Sequence, residues 1–202
     1  MVRTLYTLGA LSYLLAAPGC ADQRSPQHVA GVALPTPYQK PNIWLTDTQG
    51  RRFNFRQETQ GKLTLVEFGY THCPDVCPVT MANIAAALAK QPYEFSTRVR
   101  VYFVTQDPSR DTPATLRKWL DSFNHDFVGI VGPPGALDTL AAAFNISPPA
   151  FDRSSPTDTT YQVGHAAQVI VFTPDNLAHM VYPFGIRQQD WTNDLPKLAS
   201  VR

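Results

Sequence analysis

The two cysteines of the segment 68–78 are the residues of this chain best placed to do chemistry. Cys73 and Cys77 are four residues apart, where a predicted strand gives way to a predicted helix. Side chains at this spacing share one face of a helical turn, with Cβ atoms about 5 to 6 Å apart. The two sulfurs can therefore bind one metal ion or, after a small adjustment, form a redox-active disulfide.

A histidine far along the chain is the predicted third ligand. His165 directly precedes the apolar run 168–172, and its imidazole would complete a site of two sulfurs and one nitrogen. Thiolate and imidazole select copper or zinc among the common metals, and soft ligands suit cuprous copper in particular. A structural zinc site normally has four protein ligands, so a three-ligand site indicates an ion that is exchanged with a partner.

The location of the cysteines favours the thiolate form. A helix N-terminus carries about half a positive charge, which lowers the pKa of a nearby thiol. Pro74 and Pro78 each fix a backbone dihedral, so they stiffen the loop that holds the sulfurs. His72 is adjacent to Cys73 but is expected to face away from the site.

The remaining histidines are interpreted as solvated or hydrogen-bonded side chains. His28 lies in a polar segment before the domain, His125 in a predicted turn, and His179 in the predicted final hairpin. Asp107 and Asp111 are interpreted as turn and cap residues, although Asp107 follows a central strand that could bring it near the site.

The elements that must position this site alternate between strands and helices. Strand 63–68 leads into the cysteine motif, and helix 79–90 follows it with Pro78 in its first turn. A polar loop with prolines is predicted over 146–164. The other predicted strands are 43–46, 52–55, 98–105, 127–131, 168–173 and 178–182, and the other helices are 112–123, 136–144 and 188–199. This order predicts an α/β protein with the thioredoxin-like fold, a mixed sheet flanked by helices with an N-terminal hairpin.

The first 20 residues have the pattern of an export signal. Arg3 precedes an apolar stretch, 5–17, that is shorter than the roughly 20 residues of a membrane span. Its end, Leu-Leu-Ala-Ala-Pro-Gly-Cys20, resembles a bacterial lipobox, which implies lipidation of Cys20. Cleavage after a small residue such as Ala21, or an uncleaved anchor, are the alternatives. The predicted organisation is a signal peptide at 1–20, a flexible tether at 21–41 and one domain at 42–202.

Composition supports this organisation and excludes one class of partner. The chain has 202 residues, 44% of them hydrophobic, which suits one domain with a sizeable core. A formal charge of +1 gives no electrostatic reason to expect nucleic acid as a partner. Three cysteines are an odd count for an exported chain, and lipidation of Cys20 would leave the 73/77 pair as the thiols of the mature domain.

The motif Gly-Tyr-Thr-His-Cys-Pro-Asp-Val-Cys-Pro over 69–78 closely resembles that of the Sco/SenC family. Further resemblance lies in Trp44–Asp47 with Gly50, in Gly61-Lys62 and in Asp107–Pro113, so it extends from residue 42 to the end. Members of that family are thioredoxin-fold copper chaperones, attached to a membrane, that assemble the binuclear copper site of cytochrome c oxidase. The resemblance implies a metallochaperone, not an enzyme, on the outer (periplasmic) face of the bacterial cytoplasmic membrane. It also implies the copper-accepting oxidase subunit and other copper chaperones as partners.

The same resemblance implies the copper ligands. The family uses the two cysteines of the motif and a histidine in a Tyr-x-Val-Asp-His segment, which fall here on Cys73, Cys77 and His165. This chain departs from the pattern at Gly164, where the family has aspartate, and at Ala166. Loss of the carboxylate is expected to weaken the orientation of the imidazole, at a typical cost of about 10 to 100-fold in metal affinity.

Two other functions fit parts of the pattern. A thiol-disulfide oxidoreductase would use the 73/77 pair to reduce partner cysteines or to sense redox state, although three residues rather than two separate the cysteines and no proline precedes the strand at Gln168. A peroxiredoxin-type peroxidase requires a threonine three residues before its cysteine, and Tyr70 occupies that place.

Overall fold

The computed structural model describes residues 29–201. Cys20, His28, the predicted signal peptide and the first part of the predicted tether lie outside the described residues. Among the helices described, none is long and apolar enough to cross a membrane.

The strands and helices alternate largely as the sequence predicts. The strands are β1 Val32–Gln39, β2 Trp44–Asp47, β3 Arg52–Asn54, β4 Leu63–Gly69, β5 Val99–Thr105, β6 Val128–Val131, β7 Ala150–Asp152, β8 Gln162–Gly164, β9 Gln168–Phe172 and β10 Leu177–Pro183. The helices are α1 Phe55–Thr59, α2 Val76–Ala89, α3 Tyr93–Ser96, α4 Pro113–Asp121, α5 Pro134–Ala143 and α6 Gln188–Leu198. The short helices α1 and α3 were not predicted.

Eight strands form one mixed sheet in the order β1-β10-β9-β4-β5-β6-β2-β3. The three strands at its centre, β4, β5 and β6, run parallel, and the other pairs are antiparallel. The sheet separates two hydrophobic clusters, one with side chains of α2, α4 and α6 and the other with side chains of α1 and α5. This arrangement confirms the predicted thioredoxin-like class, in which helices cover both faces of a mixed sheet.

The N-terminal hairpin is present, but it is not the first element of the domain. β2 and β3 pair around the turn after Asp47 as predicted. However, β1 lies within the predicted tether and pairs with β10 at the edge of the sheet. Its register is interrupted between Ala33 and Tyr38, where Pro35 and Pro37 lie. An edge strand tolerates prolines because one row of its N–H groups has no strand partner. Residues 32–39 therefore form a strand of the sheet, where the sequence predicts part of a tether.

The segment predicted as a loop over 146–164 also contains regular structure. β7 and β8 pair antiparallel and form a separate two-stranded sheet. Each strand has three residues in a mostly exposed, polar segment, which gives too little hydrophobic alternation for a strand prediction. This β7–β8 hairpin ends at Gly164, so it carries the residue that follows, His165.

Candidate metal centre

Three predicted ligand residues meet at the carboxyl end of β4. Cys73 lies in the loop after β4, Cys77 is the second residue of α2, and His165 follows β8. Nε2 of His165 lies 3.6 Å from Sγ of Cys73 and 3.5 Å from Sγ of Cys77. The three atoms lie within 4.8 Å of one another, so they can hold one metal ion.

These separations suit a soft ion. Bonds of about 2.3 Å to thiolate sulfur and about 2.0 to 2.1 Å to imidazole nitrogen place sulfur and nitrogen about 3.5 to 3.8 Å apart in tetrahedral or trigonal geometry. The observed separations of 3.5 and 3.6 Å lie at the short end of that range. The ligands are therefore close to the positions that binding requires, and little of the affinity is lost to rearrangement.

The imidazole of His165 is oriented by its neighbours. Nδ1 lies 3.2 Å from the carbonyl oxygen of Ala166, so a proton on Nδ1 can be donated to it while the lone pair of Nε2 faces the sulfurs. The rings of Tyr70 and His165 meet edge to face, with centroids 5.5 Å apart. A backbone carbonyl thus supports the imidazole, although residue 164 is glycine and has no carboxylate to do so. A side chain at position 164 would find room, because a Cβ there would make only ordinary contact with Ala150.

The two cysteines have opposite protonation preferences. A hydrogen bond from the Cys77 thiol lowers the pKa of Cys73 to about 4. The same hydrogen bond, together with burial, raises the pKa of Cys77. The backbone N–H of Cys77 also donates to the sulfur of Cys73 at 3.4 Å. The side chain of Asp75, the N-cap residue of α2, makes no capping hydrogen bond. The Cys73 thiolate therefore takes the place of a helix cap, and metal binding must displace the proton of Cys77.

The strand below the site accommodates the second sulfur. A Cβ placed on Gly69 would lie 2.5 Å from Sγ of Cys77 and 2.8 Å from the ring of Phe103. Real Cβ atoms do not approach so closely, and glycine is therefore required here for α2 to pack against β4.

A buried aspartate anchors the loop that holds Cys73. The carboxylate of Asp111 accepts hydrogen bonds from the backbone N–H and hydroxyl of Thr71 and from the hydroxyl of Thr105. It thereby joins the loop after β4 to the end of β5. The sequence suggested only a turn or cap role for this residue; Thr112 is the cap of α4, where it accepts from the N–H of Thr115.

The β7–β8 hairpin is attached to the body of the protein by two tyrosines. The hydroxyl of Tyr70 donates to Oε1 of Gln162 at 2.8 Å, and the hydroxyl of Tyr161 donates to Oδ1 of Asp107 at 2.7 Å. Arg110 pairs with Asp107 and lies over the ring of Tyr161, 3.6 Å from its centroid. These contacts hold the strand that leads to His165.

A buried glutamate near the cysteines was not identified from the sequence. Glu67 is 2% exposed and shares a face of β4 with Leu65, which packs with Cys73 and Cys77. Burial raises its pKa well above the usual value, and the negative charge of Cys73 adds to this effect. Its Oε2 has no hydrogen-bond partner, so the structure favours an uncharged carboxyl beside the Cys73 thiolate.

The other described histidines lie outside the site, as predicted. His72 is exposed and contacts the hydroxyl of Thr71. His125 pairs with Asp121 and His179 with Asp175. Each of these three imidazoles therefore has a protein partner away from the two cysteines.

Comparisons with known proteins all point to one family. A sequence model of the family described as SCO1/SenC matches residues 36–200. A protein of Stutzerimonas stutzeri named "putative copper-binding protein" is 28% identical over 142 residues, which cover 70% of this chain and 68% of the relative. The Arabidopsis thaliana mitochondrial "SCO1 homolog 1" is 29% identical over 115 residues, 57% of this chain and 34% of the relative. The chain spans about half the length of several other curated relatives, 49% in four of them.

Solved structures agree with the fold and the family. Bradyrhizobium japonicum ScoI with copper bound is 29% identical, with a TM-score of 0.66, and the match covers 81% of this chain and 98% of that one. Apo Sco1 of Thermus thermophilus is 27% identical, with a TM-score of 0.68 and coverage of 86% and 94%. A SCO1/SenC family lipoprotein of Bacillus anthracis, at 21% identity, a TM-score of 0.61 and coverage of 83% and 100%, shares the fold.

Proposed function

Because the chain belongs to the SCO1/SenC family, we propose that it is a copper chaperone that binds the ion through Cys73, Cys77 and His165. The observation that carries the proposal is the convergence of two sulfurs and one imidazole nitrogen at separations that suit a soft ion. The relatives support copper, since one is named a copper-binding protein and one structure holds copper.

The proposed acceptor is the subunit of cytochrome c oxidase that holds the binuclear copper site. Transfer is a ligand exchange without catalytic turnover: thiolates and imidazoles of the acceptor attack the ion while the three ligands of this chain leave in turn. Other copper chaperones are the proposed donors. A site with three protein ligands leaves one side of the ion open for this attack.

His165 is the proposed ligand that leaves first. Cys77 belongs to α2 and Cys73 to the loop just before it, whereas the imidazole of His165 directly follows the short β7–β8 hairpin. Movement of this hairpin, which requires release of the two tyrosine hydrogen bonds, would withdraw the nitrogen and leave copper on the sulfurs alone.

The proposed location is the outer face of the bacterial cytoplasmic membrane, with a lipid on Cys20. The lipobox-like sequence before Cys20 supports this location, and the related protein of Bacillus anthracis is a lipoprotein. A chaperone held at this surface would meet the copper-accepting domain of a membrane-bound oxidase.

A thiol-disulfide reductant is the second function that a specific observation favours. Cys73 is held as a thiolate beside the protonated Cys77. The thiolate can attack a partner's disulfide, and the sulfur of Cys77, after losing its proton, then displaces the partner thiolate. Two electrons pass to the partner, whose cysteines become reduced, and a disulfide forms between Cys73 and Cys77.

An anaerobic titration with cuprous copper against a competing chelator tests the copper proposal. Cys73→Ser and Cys77→Ser should each lower the copper affinity by more than about 100-fold. Loss of a residue that only supports a ligand costs up to about 100-fold in metal affinity, and loss of a ligand should cost more. His165→Ala should weaken binding less, because two sulfurs stay in place. His72→Ala is the matched control and should bind as the wild type does. Equal affinity of the wild type and either serine variant would mean that copper is bound elsewhere.

A further inference from the structure

The register of the strands shows at which end of the sheet the chain enters the domain. The candidate metal centre lies at the carboxyl end of β4, and β9 is antiparallel to β4, so β9 begins at that end, shortly after His165. β10 is antiparallel to β9 and ends there, where Pro183 pairs with Gln168. β1 is antiparallel to β10, with Val32 opposite Val181, and therefore begins there too. The chain thus enters the domain at the end of the sheet that holds the candidate metal centre, which we call the metal end.

The point of entry is held against the domain by its own contacts. The backbone N–H of Ala30 donates to Oδ2 of Asp194 at 2.6 Å. Gly31 lies so close to the ring of Tyr182 that a Cβ on it would be 2.7 Å from a ring carbon. Ten residues lead from Cys20 to Ala30, and even a fully extended chain of that length spans at most about 36 Å. A lipid on Cys20 would therefore keep this corner of the domain close to the bilayer.

Two exposed apolar side chains lie at this corner. Val32, the first residue of β1, is 56% exposed, and Phe184, the residue after β10, is 43% exposed. The backbone N–H of Phe184 donates to the carbonyl oxygen of Ala167, two residues after His165. The corner at which the chain enters is therefore both apolar and adjacent to the segment that carries the imidazole.

The other exposed apolar side chains are also concentrated at the metal end. The register of β2 with β6 places Trp44 beyond the carboxyl end of β6. Val79 lies in the first turn of α2, and Phe151 pairs with Val163, two residues before His165. Among the described residues, the one large hydrophobic side chain exposed at the far end is Tyr93, which follows the C-terminus of α2.

We propose that the metal end of the anchored domain faces the membrane, with Val32 and Phe184 in contact with the lipid headgroup region. The proposal rests on the lipid anchor at Cys20 that belongs to the proposed function. Aromatic side chains favour the membrane–water interface. Because the anchor makes this contact intramolecular, two apolar side chains are sufficient to populate it. Copper is then transferred close to the bilayer surface, to an acceptor held in the same membrane.

The length of the link disfavours the opposite orientation. Lys90, Arg98 and Arg100 lie at the far end of the domain, and an anionic lipid surface would attract them. To bring that end to the membrane, the link from Cys20 would have to run back along the sheet, in which the seven residues of β5 alone span about 23 Å. This distance is most of the maximal reach of the link, and holding a chain so extended costs conformational entropy.

Photo-crosslinking of the full, lipidated chain tests the orientation. p-Benzoylphenylalanine replaces Phe184 in one variant and Tyr93 in the matched control, because both are exposed aromatic side chains, at opposite ends of the domain. The proteins are reconstituted in vesicles of phosphatidylethanolamine and phosphatidylglycerol and irradiated, and lipid adducts are counted by mass spectrometry. Position 184 should give at least 10-fold more lipid adducts than position 93.

A longer link should loosen the orientation. Insertion of 20 Gly and Ser residues after Ala21 triples the length of the link, and effective concentration falls roughly as the −3/2 power of linker length. The yield of lipid adducts at position 184 should therefore decrease roughly 5-fold. The copper affinity should stay the same, because the inserted residues lie outside the domain.

Four results would overturn the proposal. The first two are a yield of lipid adducts at position 93 that equals or exceeds the yield at position 184, and an unchanged yield at position 184 in the chain with the longer link. The third is crosslinking of position 184 to a protein, without lipid adducts, in whole membranes, because this corner would then be a protein contact. The fourth is an intact mass that shows no lipid on Cys20.

Failure of this proposal and failure of copper binding are distinguishable. None of the four results changes the outcome of the copper titration, so the copper-binding proposal would stand. A wild type that binds no cuprous copper but gives the expected lipid adducts would refute the metal site and leave the orientation in place.

Discussion

The two sulfurs of the candidate metal centre differ chemically although they belong to one motif. Cys73 accepts hydrogen bonds from the backbone N–H of Cys77 and from its thiol, and these bonds stabilise the thiolate. Cys77 is fully buried and keeps its proton. One sulfur is therefore ready to receive a cuprous ion or to attack a disulfide, and the other becomes available after the first step.

This difference predicts the pH dependence of cysteine alkylation in the reduced, metal-free protein. The pKa of Cys73 is lowered to about 4, so its thiolate fraction, and with it the rate with iodoacetamide, should be nearly constant between pH 6 and 8. An ordinary thiol with a pKa of about 8.5 would react roughly 75-fold faster at pH 8 than at pH 6. Stopped-flow measurements with mass-spectrometric assignment of the alkylated residue check this.

The variant Cys77→Ala provides the matched comparison. Without the thiol that donates to Cys73, the pKa of Cys73 should rise, and the rate of alkylation should increase with pH over the same interval. A wild-type rate that climbs like that of an ordinary thiol would contradict the proposed hydrogen bond between the cysteines.

At the residue scale, sequence reasoning predicted the three residues that meet at the candidate metal centre but not the groups that surround them. Cys73, Cys77 and His165 are detectable because their chemistry is rare and their spacing is specific. Glu67 gave no signal, since a strand covered on both faces has no polar side on which a charged residue would stand out.

At the element scale, the β7–β8 hairpin is the part of the structure best suited to move. Its strands are short, and apart from Val163 their residues are exposed. Short segments with few buried residues have low local stability. Two tyrosine hydroxyls attach it to the body. The hairpin was predicted only as a loop, because strands of three residues are too short for a period to be read.

Removing either hydroxyl should accelerate copper release. Tyr70→Phe and Tyr161→Phe each delete one hydrogen bond that holds the hairpin, worth about 1 kcal/mol, and the rate of copper transfer to excess chelator should rise by roughly 5-fold. Tyr93→Phe, at a tyrosine that is 80% exposed, is the control and should leave the rate unchanged. Unaltered rates in both hairpin variants would show that movement of His165 does not limit release.

At the scale of the whole molecule, the domain begins earlier than its sequence suggests. β1 covers the edge of β10, and Lys40 after it is 1% exposed, with Nζ bonded to the carbonyl oxygens of Thr59 and Lys62. Burial lowers the pKa of Lys40 to about 8. The prolines and the scarcity of large apolar residues made this segment resemble a tether, whereas its stability comes from pairing with a strand about 140 residues away.

A truncation measures the contribution of this segment. A chain that starts at residue 42 loses β1 and Lys40 and should be less stable than one that starts at residue 29. Loss of the Lys40 hydrogen bonds alone should cost about 3 kcal/mol, which corresponds to a decrease in Tm of about 6 to 12 °C for a domain of this size. Equal melting temperatures in thermal denaturation followed by circular dichroism would show that the domain begins after β1.

X-ray absorption spectroscopy of the protein loaded with cuprous copper tests the metal centre most directly. The spectrum should show two sulfur ligands at about 2.3 Å and one imidazole nitrogen at about 2.0 Å. The nitrogen contribution should disappear in His165→Ala, and one sulfur should disappear in Cys73→Ser. A coordination sphere without sulfur, or one that is identical in the wild type and His165→Ala, would contradict binding by these three residues.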